Sequence, residues 1–178
     1  MLAAFWFKIS QSDTKSPCSV TFIKCITIIL FNIWADLRME HNAGPKHHYF
    51  YAVGVSYKKA DAATRGKFSL DEAAKHALLA QAQQEGYEAM VVTSTCNRTE
   101  IYGFAEHPYQ LIKLICDHSH GTAEEFQRSG FVYKNQEAVN HIFRVGTGLD
   151  SQILGDFEII SQLKSDFAES RKFHLIKI

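Results

Sequence analysis

The sequence predicts an α+β fold, an antiparallel sheet of about four strands with helices packed on it, and three observations lead there. Two β-rich runs, Ala89 to Cys96 and Thr99 to Glu106, are joined by only Asn97 and Arg98, the spacing of a tight antiparallel hairpin. The order of periodic segments is strand, helix, two strands, helices, strand, helices, rather than the regular alternation of a parallel sheet. The chain has 178 residues, 46% hydrophobic and only 21% charged, which is enough apolar material for a real core.

Each element has a local cause. Tyr49 to Tyr57 (YFYAVGVSY) is aromatic and β-branched and reads as a strand, ending in the polar stretch Lys58 to Lys67. Ser69 is a candidate N-cap, with Glu72 three positions on as in a capping box, for a helix through about Glu85 that Gly86 stops. The hairpin strands follow. Pro108 opens a helix over Tyr109 to His118 with Leu111, Leu114 and Ile115 on one stripe, and Gly121 marks its end. Thr122 to Gln127 reads as a short helix and Phe131 to Lys134 as a short strand. Gln136 to Val145 carries Val139, Ile142 and Phe143 on one helical face, and Asp156 to about Lys172 repeats the pattern with Ile160, Leu163 and Phe167.

Length and charge exclude several functions. At about 100 to 200 residues per domain, the chain holds one domain, with or without appendages, and not a two-domain cofactor enzyme of ordinary size. Nineteen basic residues balance nineteen acidic ones, so no global field steers the protein toward nucleic acid or an anionic membrane. Residues 1–46 hold five basic and three acidic side chains, and 47–172 hold thirteen and sixteen, which leaves the expected folded part mildly acidic.

Residues 1–46 differ from the rest. Thr21 to Ala35 is nearly all apolar with Lys8 and Lys15 upstream, like the start of a secretory signal, but Lys24 interrupts it and no small-x-small cleavage site follows. It is shorter than the roughly 20 apolar residues a membrane-spanning helix needs. The favoured expectation is an upstream extension before a natural start at Met39, with a buried core element as the remaining reading.

Chemistry points first to Ser94-Thr95-Cys96-Asn97-Arg98-Thr99-Glu100. A cysteine at the end of a strand beside a hairpin tip, with a guanidinium two residues on, is where a thiolate can be exposed and electrostatically favoured. The hydroxyls of Ser94 and Thr95, the Asn97 amide and the Arg98 fork could hold a polar, carboxylate-bearing substrate against it. The competing reading is a small buried hydrophobe, the usual fate of a lone strand cysteine. Cys18, Cys25, Cys96 and Cys116 form no CxxC pair and read as reduced thiols. Candidate partners for a nucleophile are His141, at the border of an apolar helix face, and the pair His118 and His120. Cys116-Asp117-His118-Ser119-His120 contains metal-ligand types, but they crowd a helix end where the dipole already favours histidine. Gly146-Thr147-Gly148 fails as a dinucleotide fingerprint, since the third glycine is missing and a helix precedes it.

Four ordered stretches together resemble a known family. They are Val53-Gly54-Val55-Ser56-Tyr57-Lys58, Ser94 through Tyr102 (STCNRTEIY), Ala138-Val139-Asn140-His141, and Gly148 through Gly155 (GLDSQILG). In order and spacing they resemble the N-terminal catalytic domain of glutamyl-tRNA reductase, over about residues 49–173. The resemblance implies a split βαβ, ferredoxin-like catalytic domain over 47–173, in which a cysteine thiolate attacks the ester carbonyl of glutamyl-tRNA. The thioester is then reduced by NADPH to glutamate-1-semialdehyde in tetrapyrrole (porphyrin) biosynthesis. By motif position Cys96 is the nucleophile and His141 the histidine regarded as important for activity. Thr95, Cys96, Asn97, Arg98, Ser151, Asp156, Phe157, Glu158 and Gln162 match substrate-contacting positions, with Arg98 the partner for the side-chain carboxylate.

The cysteine usage points to a cytoplasmic protein, and neither a metal nor a membrane span is expected from the residues; the resemblance further implies a homodimer in full-length members and contact with the next enzyme of the pathway. Two departures stand out. Asp156-Phe157-Glu158 replaces the family's Glu-Pro-Gln, which puts a carboxylate where an amide is usual; Glu158 either turns away or hydrogen-bonds the substrate ammonium. The NADPH and dimerisation domains would follow residue 173, whereas the chain gives only the hydrophobic ending 174–178, as a fragment, an excised domain or a shifted frame would. The expectation is therefore the thioester-forming half alone, with no cofactor-binding residues in this chain. The alternatives are a non-catalytic module that binds glutamyl-tRNA or a protein, and a cysteine-dependent (thio)esterase.

Overall fold

The computed structural model describes residues 49–87, 89–153 and 158–176. The expectations for residues 1–46 lie outside the described residues. The elements are β1 (Tyr49–Ser56), α1 (Ala62–Phe68), α2 (Glu72–Gln84), β2 (Met90–Ser94), β3 (Arg98–Ala105), α3 (Pro108–Asp117), α4 (Ala123–Ser129), β4 (Gly130–Lys134), α5 (Gln136–Gly146) and α6 (Glu158–Lys172). The four strands form one sheet in the order β2-β3-β1-β4, each pair antiparallel. Because β3 inserts between β1 and β2, the helical crossover that joins those two strands is a split βαβ unit, the expected ferredoxin-like arrangement.

Both faces of the sheet are buried, which the uninterrupted burial of β3 requires. One face is apolar. Val53, Ile101 and Val92 stand side by side across β1, β3 and β2 and pack with Leu78 and Leu79 of α2 and Leu111, Leu114 and Ile115 of α3. The other face carries Arg98, Glu100 and Tyr102 of β3 and lies under α5 and α6. β1 is narrow there, with Ala52, Gly54 and Ser56 pointing the same way. Gly54 sits opposite Glu100, and a Cβ on it would lie 2.8 Å from both Cα and Cγ of Glu100 and closer still to the Thr99 carbonyl. The glycine is what lets a glutamate fold down onto the sheet.

Three local expectations are corrected. The polar stretch 58–67 contains α1, capped by Asp61, whose carboxylate accepts from Thr64 N–H at 2.7 Å. A seven-residue helix that buries only Phe68 leaves no apolar periodicity to read. The cap of α2 is Asp71, accepting from Ala74 N–H at 2.8 Å, while Ser69 closes α1 instead. The hairpin loop is Cys96-Asn97 and not Asn97-Arg98, because Thr95 N–H donates to the Arg98 carbonyl at 2.8 Å. Past residue 173, Leu175 is fully buried in the apolar core and its carbonyl accepts from Met90 N–H at 3.2 Å, so the packing reaches beyond that boundary.

Gly54→Ala should destabilise the domain by about 1–3 kcal/mol through overpacking against Glu100. Urea titration checks this, the expected result being a lower midpoint at unchanged slope; a midpoint equal to that of the parent would refute it.

Candidate active site

The hairpin tip is held from two sides. Tyr57 N–H donates to the Asn97 carbonyl at 2.9 Å, and Arg65 of α1 donates through Nε to the Cys96 carbonyl at 3.2 Å and through Nη1 to the Ala60 carbonyl at 2.7 Å. Asn97 N–H donates to Thr95 Oγ1 at 3.3 Å, and Ser94 Oγ accepts from Leu70 N–H at 3.0 Å. The Cys96 backbone is thus fixed while its side chain is exposed, which excludes the buried-hydrophobe reading for this cysteine. Sequence reasoning missed Arg65, because its only signal was a charge within a stretch without periodicity.

Cys96 borders a cleft of about 250 Å³. From the hairpin come Thr95, Cys96, Asn97 and Arg98, from the turn after α5 comes Ser151, and from the first turns of α6 come Glu158 and Gln162. Gly148, at φ +72°, turns the chain back after α5, and Asp150 N–H then bonds to the Arg144 carbonyl at 3.0 Å, which brings Ser151 to the cleft. Asp156 and Phe157 lie outside the described residues. His141 is not among the residues that line the cleft.

His141 belongs to a buried polar network beneath it. Arg98, 2% exposed, donates through Nη1 to Glu100 Oε1 at 2.9 Å and through Nη2 to the Asp150 carbonyl, with the Asp150 carboxylate at 3.6 Å. The other Glu100 oxygen receives the Tyr102 hydroxyl and His141 Nε2, the latter at 2.9 Å. Lys58 pairs with Asp150 from the solvent side. Burial alone would raise the Glu100 carboxyl, but the His141 hydrogen bond and the Arg98 charge outweigh it and hold the group below its ordinary 4.5. Burial, then the Glu100 charge, pushes the Tyr102 phenol well above its usual value. An ionised carboxylate only accepts, so Nε2 of His141 carries its proton here.

Gln162 is anchored in the same manner. Its Nε2 donates to Asp166 Oδ1 at 3.0 Å, and that buried carboxylate also receives Lys75 Nζ of α2 at 3.0 Å. Burial is the main cause that raises Asp166, whereas bonds to Glu169 and Asp166 overcome burial and keep Lys75 charged.

The sequence model of the family described as Glutamyl-tRNAGlu reductase, N-terminal domain, matches residues 53–177. The chain belongs to this family. It is 66% identical over 137 residues to a glutamyl-tRNA reductase of Flavobacterium psychrophilum, an alignment covering 77% of this chain and 33% of that protein. The glutamyl-tRNA reductase of Christiangramia forsetii is 64% identical over 136 residues, covering 76% of this chain and 32% of its own length. Among solved structures, glutamyl-tRNA reductase from Methanopyrus kandleri superposes with a TM-score of 0.59 at 25% identity, covering 72% of this chain and 29% of that one. The chain therefore spans about a third of the length of the curated relatives it matches.

A nicotinamide dinucleotide, the cofactor implied for the glutamyl-tRNA reductase family, does not fit Gly146-Thr147-Gly148. Gly146 ends α5 and Thr147 is its C-cap, so a phosphate there would meet the carbonyl end of a helix instead of the amide end. The metal-ligand types of residues 116–120 do not converge either: Asp117 pairs with Lys113, and His118 Nε2 lies 2.7 Å from Gln81 Oε1. Glu72, His76 and Glu169 do bring their ligand atoms within 4.8 Å of one another, but the Lys75 ammonium already lies 3.5 Å from Glu72 and 2.9 Å from Glu169. Among the described residues no helix is long and apolar enough to cross a membrane.

The Glu100 network sets a pH dependence. Its folded value is depressed, so the stability from its ionisation is complete above about 4.5 and is lost as pH falls through the folded value. Asp166 is raised and acts in the opposite sense, so that its contribution is lost as pH rises through its folded value. Urea midpoints measured from about pH 6 to pH 3 should fall more steeply for the parent than for Glu100→Gln. Parallel curves would show that Glu100 does not carry this term.

Proposed function

We propose that this domain performs the thioester-forming step of glutamyl-tRNA reduction, toward tetrapyrrole synthesis. The observation that carries the reading is the exposed Cys96 thiol on a clamped hairpin tip, at the edge of a small polar cleft built from three separate elements. The Cys96 thiolate attacks the carbonyl carbon of the glutamyl ester, the carbon–oxygen bond to the ribose breaks, and the ribose oxygen leaves with a proton, giving a Cys96 glutamyl thioester. The names of the matched relatives and the family fold support this reading.

The cleft residues have complementary roles. Arg98 has five N–H donors, of which Nη1 and Nη2 each commit one, to Glu100 and the Asp150 carbonyl, and the remainder are directed at the glutamyl side-chain carboxylate. Glu158 lines the cleft from the start of α6 and accepts from the substrate ammonium, a role for the carboxylate that replaces the family's amide. Thr95, Asn97, Ser151 and Gln162 supply neutral hydrogen bonds around the ester. Reduction of the thioester calls on a dinucleotide, which Gly146-Thr147-Gly148 does not fit, and the chemistry proposed for the cleft ends at the thioester.

Incubation with glutamyl-tRNA should give a covalent glutamyl adduct on Cys96 by intact-protein mass spectrometry, and Cys96→Ser should abolish it. An undiminished adduct in that variant would sink the assignment. Glu158→Gln should weaken binding of the glutamyl ester roughly two- to fivefold, since an exposed ion pair contributes at most about 1 kcal/mol. Tighter binding by this variant would show that Glu158 repels the substrate.

A further inference from the structure

His141 is the one expected site residue that the described structure keeps away from the cleft. It is sealed under aromatic rings, with centroids 4.9 Å from Phe131, 4.9 Å from Tyr133 and 6.2 Å from Tyr102, and it is 8% exposed. A general base must come within about 2.6–3.2 Å of the proton it takes, or reach it through one water. His141 does not line the cleft that Cys96 borders. What it does reach is Glu100, at 2.9 Å.

Glu100 has two oxygens with different duties. Oε2 takes His141 and Tyr102, and Oε1 takes Arg98, two residues away on the same face of β3. Rotation of the Glu100 carboxylate would break contacts on both sides at once, and Gly54 leaves room for the Glu100 backbone and Cγ against β1. Asp150 closes the far side of the guanidinium. Arg98 is the member of this chain that borders the cleft.

We propose that His141 and Glu100 are positioning residues that hold the Arg98 fork toward the cleft, so that His141 contributes to the reaction through Arg98 and never through the Cys96 thiol. This rests on reading the cleft as a glutamyl-ester site, but its test does not need the ester. Cys96 is alkylated with iodoacetamide, which is neutral, and with iodoacetate, which carries a carboxylate for Arg98 to attract, and labelling is quantified at Cys96 by peptide mass spectrometry. The iodoacetate-to-iodoacetamide rate ratio at Cys96 should fall by roughly threefold or more in His141→Ala, as in Arg98→Ala, the loss of one charge-assisted contact between the reagent carboxylate and the guanidinium. The pH profile of iodoacetamide labelling should stay where it is.

His141→Gln decides between the two roles even if the alanine variant does not fold. A glutamine can still donate to Glu100 but cannot take up a proton. Positioning predicts that His141→Gln keeps the parent ratio and profile, and that it forms the thioester from glutamyl-tRNA at close to the parent rate. A labelling profile displaced to higher pH in His141→Gln would overturn the proposal and make His141 the base for the thiol. Parent-like ratios in both His141→Ala and Arg98→Ala would overturn it as well. Failure of the glutamyl reading would instead show as an adduct that survives Cys96→Ser, a result independent of these ratios.

Discussion

The buried carboxylate of Glu100 is the constraint on which the rest of the site depends. It is fully buried in the middle strand of the sheet, where an ion without partners would cost several kcal/mol. Three donors from two elements therefore converge on it: Arg98 and Tyr102 from its own strand, and His141 from α5. None of the three is optional, since removing one partner of a buried pair leaves the others uncompensated, typically at about 3–5 kcal/mol. The geometry of the cleft follows from that necessity. Arg98 stands at the wall because Glu100 requires a cation there, and α5 docks where it does because His141 must reach the same carboxylate.

The backbone around the site obeys a similar logic. A hairpin loop of two residues is short enough to be rigid, and the Tyr57 amide and the Arg65 side chain fix its two carbonyls from opposite sides. The Cys96 side chain is then the exposed part of the tip. A second buried ion pair, Lys75 with Asp166, ties α2 to α6 around the edge strand and fixes Gln162 at the cleft. Arg98 and Gln162 at the cleft are thus each backed by a buried charge, an arrangement that preorganises side chains at the expense of net stability.

Much of this was legible in the sequence, for identifiable reasons. The hairpin declared itself because two β-branched runs lay two residues apart, and α3 because its stripe of Leu111, Leu114 and Ile115 is its buried face. α5 and α6 were found as helices but with the wrong faces, since α5 buries Ala138, His141 and Val145 and exposes Phe143, and α6 buries Ile159, Asp166, Phe167 and Ser170. Cys96, Asn97, Arg98, Ser151, Glu158 and Gln162 were found as one set only through the family motifs, since they come from a hairpin, a turn and a helix that no local pattern connects. The loop slipped by one residue because propensity does not fix the register of a hairpin, whereas the Thr95 to Arg98 bond does. α1 escaped because a short helix held by an aspartate cap needs no apolar stripe, and Arg65 escaped with it. The place of His141 was illegible for a deeper reason: a histidine at the border of an apolar helix face looks the same whether it opens to a cleft or closes on a buried carboxylate.

Charge balance decides how such a cleft selects its ligand. Arg98, Lys58 and Arg144 are set against Glu100 and Asp150, Glu158 lines the mouth, and Arg65 adds a guanidinium at the Cys96 carbonyl. Residues 47–172 as a whole are mildly acidic, so no long-range positive field of the domain draws in an anion. Attraction at a distance is therefore weak, and on the proposed reading recognition of a carboxylate rests on the Arg98 donors at contact range. A field tolerates a few tenths of an ångström of disorder; a directed fork does not. On the proposed reading, the groups that orient Arg98 matter to the chemistry as much as those that touch the substrate, and a histidine outside the cleft contributes by holding that fork in place.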